Sequence, residues 1–285
     1  MPIRTQNFDS RQSMNGKTFE IFHYREAKPE AVSVHHHDFY EIYFFLGGEV
    51  SYWAEGKIYQ LQPGDLLLMS PMQFHHPIVQ PGAVYERMVL WIDRNYLSAI
   101  STTDVDLTTC FHSNTDGNAN LLHPTVLMRR KIHELLEMLN RETHGQEFGQ
   151  SLYAKSLLLQ LLLEINRMAS REDKTTVSSE PFDLVSQIAS FINQHCHEEI
   201  SLERLAKEFF VSKYYLSHEF SKQTGVSIYR YVILKRLMNA KELITVGQMP
   251  GEVYKYCGFH NYTNFYRAFK AEYGISPREF AEQVK

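Results

Sequence analysis

Apolar and polar residues alternate over short stretches in the first third of the chain. Up to about residue 93 these stretches are separated by Gly-Gly, Glu-Gly and Pro-Gly pairs, and they predict strands at 41–46, 49–54, 57–61, 65–69 and 85–92. Short strands joined by tight turns predict an antiparallel barrel or sandwich.

Beyond Pro124 the apolar spacing changes to that of amphipathic helices. Ile132, Leu135, Leu136 and Leu139 follow an i, i+3, i+4, i+7 pattern, and a second, leucine-rich helix covers 152–165. The second helix is apolar around more of its circumference than one packing face requires. It packs either against its own barrel or against another subunit, and the pattern leaves both alternatives open.

The last third of the chain is predicted to be helical. A polar, Ser/Thr-rich stretch at 170–181 predicts a linker, and it is followed by predicted helices at 183–195, 201–208, 212–223, 227–244, 250–256, 261–272 and 276–283. The boundaries rest on predicted N-caps and on glycines at the helix ends. The N-caps are Ser201, Ser212, Ser227, Asn261 and Ser276, the terminal glycines are Gly225, Gly258 and Gly274, and Pro277 stands in a first turn.

Composition narrows the class of protein. With 285 residues, 44% hydrophobic and 22% charged, the chain is predicted to form about two globular domains. Its three cysteines are far apart, it has no apolar stretch of ~18 residues, and its N-terminus lacks the features of a signal peptide. We therefore expect a reduced, cytoplasmic protein without a membrane span.

The two parts of the chain differ in charge. Residues 182–285 carry 13 Lys and Arg against 11 Asp and Glu, a net charge of +2, whereas residues 1–181 carry 16 against 22, a net charge of −6. A net charge of +2 is by itself a weak indication of nucleic-acid binding, so the positions of the cations matter more.

Two segments of the C-terminal part repeat one design. Helix 201–208 leads through a tight turn to a helix that begins at Ser212, and 252–256 leads through Cys257-Gly258-Phe259 to 261–272. This is the helix-turn-helix arrangement, whose second helix enters the DNA major groove. Periodicity turns Tyr215, Leu216, Phe220, Phe265 and Phe269 inward. In helix 212–223 the predicted outward residues are Lys213, Tyr214, Ser217, His218 and Lys222. In helix 261–272 they are Tyr262, Thr263, Tyr266, Arg267 and Lys270.

The C-terminal pattern resembles the DNA-binding domain of the AraC/XylS family of bacterial transcription regulators over about 100 residues. The resemblance is carried by Leu202, Leu205, Ala206, Ser212, Tyr215, Leu216, Phe220, Gly225, Tyr231, Arg236, Ala240, Leu243, Gly258, Phe259, Phe265, Phe269, Lys270, Gly274, Ser276, Pro277 and Phe280. It implies a linker helix near 227–244 that holds two recognition helices about one DNA turn (~34 Å) apart. Carried over by position, the base-contacting residues are Tyr214, Ser217, His218, Tyr262, Thr263 and Arg267.

A second motif lies in the N-terminal part. His35, His37, Glu41 and Gly48 form H-x-H-x3-E-x6-G, and His75 follows the Pro63-Gly64-Asp65 turn. The motif resembles that of cupin barrels, which implies that His35, His37, Glu41 and His75 could bind a first-row metal. The barrels joined to this DNA-binding domain generally hold an organic effector without a metal. In that case His37, Glu41 and His75 would hydrogen-bond the effector beside Tyr43, Trp53 and Arg87, and purely structural histidines are the third alternative.

Together these features predict an all-β cupin-like effector barrel (1–123), a helical dimerisation segment (124–169), a linker (170–181) and an all-α DNA-binding domain with two helix-turn-helix units (182–285). The expected function is that of a homodimeric, non-enzymatic transcription activator. Its expected partners are double-stranded DNA, RNA polymerase and a small effector, with a sugar as the first guess. The alternatives are a metal-dependent cupin enzyme or sensor fused to a DNA-binding domain, and a repressor, or a protein regulated only by a partner, with a collapsed, empty barrel.

Overall fold

A computed structural model describes residues 13–29, 32–80, 82, 84–112, 120–171 and 184–284. The chain divides into two compact units, Met1–Pro181 and Phe182–Lys285. Within the described ranges, no helix combines the length and the apolar character needed to cross a membrane.

The described part of the first unit forms two antiparallel sheets. The larger sheet has the strand order β1-β7-β2-β5-β8 and the smaller one β4-β3-β6. The strands are β1 (Phe19–Glu26), β2 (Tyr40–Gly47), β3 (Val50–Ala54), β4 (Lys57–Gln60), β5 (Leu66–Met69), β6 (His75–Val79), β7 (Tyr85–Ile92) and β8 (Asn120–Leu122).

Both faces of the larger sheet are buried. Ile42 and Phe44 on β2 face a core shared with four helices, whereas Tyr43 and Phe45 face a core between the two sheets. This follows from the two-residue alternation of a strand, and it explains why β2 is apolar at nearly every position. The helices are α1 (Arg94–Ile100), α2 (Thr109–His112), α3 (Val126–Thr143) and α4 (Gln150–Arg171).

All five predicted strands are confirmed within one or two residues, but three strands and two helices were missed. β6 contains Pro77, which weakens a strand signal, β8 has only three residues, and α1 and α2 are too short to show a helical period. The fold class, a β-rich N-terminal domain followed by an all-helical domain, is as predicted. Residues 170 and 171 belong to α4 rather than to the predicted linker, and 172–181 lie outside the described residues.

The apolar circumference of α4 is explained mostly by its own unit. Leu157, Leu158, Leu161 and Leu162 are buried in the core shared with α3 and the larger sheet. Near the start of the helix, Leu152 is 72% exposed and Tyr153 47% exposed. Burial against its own unit therefore explains most of the apolar surface of α4. The first turn of the helix presents apolar side chains to solvent.

The second unit is helical throughout its described residues. Its helices are α5 (Leu184–His195), α6 (Leu202–Glu208), α7 (Lys213–Thr224), α8 (Ile228–Thr245), α9 (Pro250–Tyr256), α10 (Tyr262–Tyr273) and α11 (Pro277–Gln283). Each of the five predicted N-caps accepts a hydrogen bond from the backbone N–H three residues on. Gly225 and Gly274 end α7 and α10 with φ of +74° and +75°, as predicted. Such local signals are strong because the chemistry of a helix end involves only neighbouring residues.

Candidate functional site

The first candidate site is the exposed side of α7 and α10, the second helices of the two helix-turn-helix units. Most predicted contact residues are exposed: Lys213, Tyr214, His218, Lys222, Tyr262, Thr263, Arg267 and Lys270, with Ser217 half-buried. Leu216 and Phe220 hold α7 to its unit, and Phe265 and Phe269 hold α10. Tyr215 was predicted to face inward, but it is 51% exposed. Leu216 and Phe220, four residues apart, are sufficient to fill the buried side of this helix.

Several cations of the first recognition helix have acidic neighbours. The Nζ atom of Lys213 lies 2.6 Å from Oε1 of Glu203, and that of Lys222 lies 3.8 Å from Oε1 of Glu219. Both lysines are exposed, so each pair contributes little to stability. A DNA phosphate can therefore compete for either lysine.

Arg236 on the long helix α8 ties the two helix-turn-helix units together. Its buried guanidinium donates from Nε to the carbonyl oxygen of Cys196 and from Nη2 to that of Glu198, both at 2.7 Å. It also lies 5.9 Å from the ring of Phe259, in the turn of the second unit. The loop between α5 and α6 is thereby joined to that turn.

The second candidate site is a cavity of about 50 Å³ between the two sheets of the first unit. Its lining combines aromatic side chains with two buried charged groups, one at Glu41 and one at Arg87. The lining residues are Tyr24, Val32, His35, Glu41, Tyr43, Tyr52, Pro77, Tyr85, Arg87, Val89 and Trp91.

The polar groups of the cavity are held in fixed positions. The guanidinium of Arg87 is paired with Glu26 and lies 3.9 Å from the centre of the Tyr85 ring. The hydroxyl groups of Tyr43 and Tyr85 are 2.6 Å apart. Burial raises the pKa of Tyr85 to about 12, so this hydroxyl is neutral at pH 7 and can donate or accept a hydrogen bond.

Beside the cavity, His37, Glu41 and His75 form a buried cluster whose ligand atoms lie within 4.8 Å of one another. Oε2 of Glu41 lies 3.2 Å from Nε2 of His37 and accepts a hydrogen bond of 2.8 Å from Nε1 of Trp91. The ring of His35 stands 4.5 Å from that of His75. The structure therefore brings three of the four predicted metal ligands together, with His35 beside His75.

Backbone carbonyls orient the imidazoles of this cluster. Nδ1 of His35 lies 2.9 Å from the carbonyl oxygen of Ser33, and Nδ1 of His75 lies 2.9 Å from that of Gln73. A carbonyl accepts only from an N–H, so each Nδ1 carries the proton and each Nε2 keeps its lone pair. Nε2 of His75 is buried and has no hydrogen-bond partner among the described residues.

Burial also keeps these imidazoles neutral. It lowers the pKa of His35 to about 4, and that of His75 falls well below the ordinary value, with the neighbouring imidazoles acting in the same direction. Burial of Glu41 opposes its charge, but the combined effect of His37, His35 and the hydrogen bond from Trp91 outweighs burial and lowers the pKa of this carboxyl. Neutral imidazoles beside a carboxylate are the form in which these groups bind metal ions.

The predicted effector residues are divided between the cavity and its surroundings. Glu41, Tyr43 and Arg87 line the cavity, whereas His37 and His75 belong to the cluster beside it and are not among its lining residues. Trp53 alternates with Tyr52 along β3, so it points away from the cavity and packs near His76. His35 and His37 precede β2, and His35 pairs with His75 in a single bridge.

Sequence reasoning missed four of the aromatic lining residues. Tyr24, Tyr52, Tyr85 and Trp91 line the cavity but were not among the proposed effector residues. The signal was present in β7. There Tyr85, Arg87, Val89 and Trp91 occupy every second position, so their side chains share one face of the strand. Which face of the strand turns toward the cavity depends on strand pairing, which the sequence does not specify.

Comparison with known proteins assigns both units. The family model of the AraC-like ligand binding domain matches residues 19–162, and a helix-turn-helix domain model matches residues 205–283. The HTH-type transcriptional regulator YbfI of Bacillus subtilis is 31% identical over 229 residues, which cover 79% of this chain and 78% of that protein. The HTH-type transcriptional activator RhaS of Salmonella paratyphi B is 23% identical over 260 residues, 87% of each chain.

Among solved structures, unsaturated fatty acid bound ToxT from Vibrio cholerae matches 94% of this chain and 96% of that chain at 14% identity, with a TM-score of 0.40. The ligand-binding match extends over the sheets, the cavity and most of α4, and the helix-turn-helix match over both recognition helices. The chain therefore belongs to the AraC family of transcriptional regulators, with an N-terminal ligand-binding domain and a C-terminal DNA-binding domain.

Proposed function

We propose that this regulator is a homodimeric activator controlled by a small molecule in the N-terminal barrel. In this proposal α7 and α10 contact successive major-groove faces, and the apolar first turn of α4 forms part of the dimer contact. The effector acts by binding one arrangement of the dimer more tightly than the other, since only a difference in affinity shifts such an equilibrium. The DNA-bound arrangement then contacts RNA polymerase.

The observation that carries the effector proposal is the cavity between the sheets. Burying a charged side chain is costly unless its partners compensate for the lost water. Glu41 and Arg87 are nevertheless only 5% and 4% exposed, and both border the same cavity. A few polar groups placed among aromatic rings are typical of a small-molecule site.

The size of the cavity limits the effector. Pockets for drug-sized ligands measure ~300–1,000 Å³, whereas this cavity measures about 50 Å³. A sugar, whose hydroxyls suit the tyrosines and whose ring can stack on them, therefore requires the sheets to separate. That separation is a route by which binding could reach the helices packed on the larger sheet.

The effector proposal is tested with a panel of monosaccharides, by the shift in thermal unfolding of the full chain. Tyr52→Phe removes a hydroxyl from the cavity lining and is expected to reduce any shift severalfold. The control is Trp53→Phe, because the adjacent Trp53 is equally buried but points away from the cavity. Equal losses in the two variants would argue against binding in the cavity.

The DNA contacts are tested with sites selected from a random duplex library. Arg267→Ala is expected to relax preference at one base position and to cost ~1–3 kcal/mol in specific binding, because arginine can contact guanine through two hydrogen bonds. Lys222→Ala is expected to weaken binding to all DNA sequences alike. It should also reduce the slope of log affinity against log salt concentration by about one. Arg278, exposed on α11, provides the control variant Arg278→Ala. Unchanged affinity and preference in Arg267→Ala would refute the assignment of α10.

A second candidate, a metal-dependent sensor or enzyme, is favoured by the histidine cluster. The buried, unpartnered Nε2 of His75 and the Glu41 carboxylate fit a divalent first-row metal, with His37 as the third ligand and the neighbouring His35 as a candidate fourth. Carbonyl groups hold the opposite nitrogens, as is usual around metal-binding imidazoles. A bound metal would act there as a Lewis acid on a small ligand in the adjacent cavity.

This candidate is tested by the metal content of untagged protein purified without a metal resin. Near-stoichiometric metal in the wild type that is lost in His37→Ala/His75→Ala would support it. His144→Ala serves as the control because His144 lies at the end of α3, outside the cluster. Absence of metal, together with no uptake of added Zn²⁺, would leave the organic effector as the remaining candidate.

A further inference from the structure

A separate buried histidine joins the barrel to the helices that cover it. His23 on β1 is fully buried, and a carboxylate approaches each of its ring nitrogens. Its Nε2 lies 2.9 Å from Oε1 of Glu86 on β7, and its Nδ1 lies 3.1 Å from Oε1 of Glu137 on α3. One imidazole is therefore placed between two acidic groups on different elements.

The neighbouring charges differ on the two sides of the ring. Glu86 also pairs with Arg25, whose Nε lies 3.2 Å from Oε2 of the carboxylate. Glu137 has His133 as its other partner, with Nε2 at 3.8 Å, and it pairs with no lysine or arginine among the described residues. The charge of Glu137 is thus balanced only by imidazoles that carry an added proton.

Both ring nitrogens of His23 face carboxylate oxygens. A neutral imidazole has one N–H, so it can satisfy only one of two acceptors. Neither Nδ1 of His23 nor Oε1 of Glu137 has a hydrogen bond of regular geometry with the described residues. The 3.1 Å approach of Nδ1 to the half-buried Glu137 carboxylate becomes an attraction when the ring carries a second proton.

We propose that His23 is a proton-operated clamp that holds α3 against the barrel when protonated and loosens it when neutral. Loss of the proton leaves a lone pair facing the Glu137 carboxylate, and this repulsion weakens the attachment of α3. Since α3 packs with α4 in one core, the proton alters the helix pair that the proposed dimer uses. The clamp is independent of any effector, metal or DNA, so it can fail without affecting the proposed function.

Hydrogen exchange of α3 in the full chain tests the clamp. Protection factors, corrected for intrinsic rates, are compared between about pH 5.5 and about pH 8, the range in which imidazoles titrate. In the wild type we expect protection of α3 to fall on the order of tenfold as the pH rises. His23→Gln should show low protection at both pH values.

Two further variants separate a clamp from general destabilisation. Glu137→Gln removes the negative charge at the helix surface while keeping its shape, and it should abolish the pH dependence even if His23→Gln folds poorly. His133→Gln should retain it. A pH dependence that survives in Glu137→Gln, that is lost in His133→Gln, or that is absent from the wild type would overturn the proposal.

Discussion

The turns of the two helix-turn-helix units place different residue types at the same left-handed backbone position. In the turn before α10 the left-handed position is Gly258, with φ of +80°. In the turn before α7 it is Phe210, with φ of +54° and a side chain that is 94% exposed. A left-handed conformation costs ~1–2 kcal/mol in an L-residue other than glycine. The first turn therefore carries strain that the second avoids.

Replacing Phe210 by glycine should relieve this strain. We expect Phe210→Gly to raise the free energy of unfolding of the DNA-binding unit by about 1 kcal/mol, because the exposed ring contributes little packing. The measurement is urea unfolding of the full chain. Phe210→Ala, which removes the ring but keeps a Cβ, should leave most of the strain in place, and equal effects of the two variants would contradict this explanation.

The neutral imidazoles of the barrel predict sensitivity to acid. The pKa of His35 is lowered to about 4 in the folded chain, so between its ordinary value near 6.5 and 4 only the unfolded chain takes up the proton. Stability of the first unit should accordingly fall as the pH decreases through this window. Urea unfolding with a chelator present measures the effect, and His35→Gln should flatten the curve. If the free energy of unfolding of His35→Gln depended on pH as strongly as that of the wild type, His35 would be ruled out as a source of the acid sensitivity.

At the scale of elements, the turn between α9 and α10 is packed against the loop between α5 and α6. A Cβ at Gly258 would lie 2.7 Å from the carbonyl oxygen of Cys196 and 2.9 Å from Nε of Arg236. A Cβ at Gly225, which has a similar φ of +74°, would meet nothing within 4 Å. The two glycines therefore separate the cost of the backbone conformation from the cost of close packing.

Alanine at these two glycines should have unequal effects. Gly225→Ala is expected to lower the free energy of unfolding by ~1 kcal/mol, the cost of the left-handed conformation alone. Gly258→Ala should cost at least ~1 kcal/mol more, because two carbonyls and the Arg236 guanidinium must move. It should also reduce DNA affinity by disturbing the spacing of α7 and α10. Equal stability losses, measured by urea unfolding, would contradict this account of the turn.

At the scale of the whole molecule, sensing and DNA binding belong to different compact units. The first unit buries its own two cores, and the second has a core around Leu237, Phe265 and Phe269. Each unit can therefore be expected to fold on its own. The connecting residues 172–183 lie outside the described ranges.

Separating the units should separate their activities. A fragment that begins at Phe182 should bind DNA ~10²–10⁴-fold more weakly than the full chain, because a dimer gains affinity by binding two sites at once. Residues 1–174 should sediment as a dimer. Leu152→Lys should weaken the association of the two subunits, because it places a charge on the apolar first turn of α4. A monomer at high concentration would refute the proposed dimer.

Features that depend on neighbouring residues were predicted more accurately from the sequence than features that depend on residues far apart along the chain. The helices of the second unit and their caps were located to within a residue, because N-cap side chains and left-handed glycines act on adjacent backbone. Tyr215 was placed on the wrong face, because its orientation depends on which α7 residues fill the core. β1 and β8 were missed since their strand character comes from their partners β7 and β5.

The order of the elements, the repeated helix-turn-helix design and the family could be predicted along the chain, because these depend on local chemistry and motif spacing. The packed fold selected which tyrosines surround the cavity, because strand register sets the face that each side chain occupies. It also decided that Glu86, Glu137 and His23 meet, since β7 and α3 reach β1 from distant parts of the chain. Contacts of this kind arise only when the sheet and its covering helices pack together.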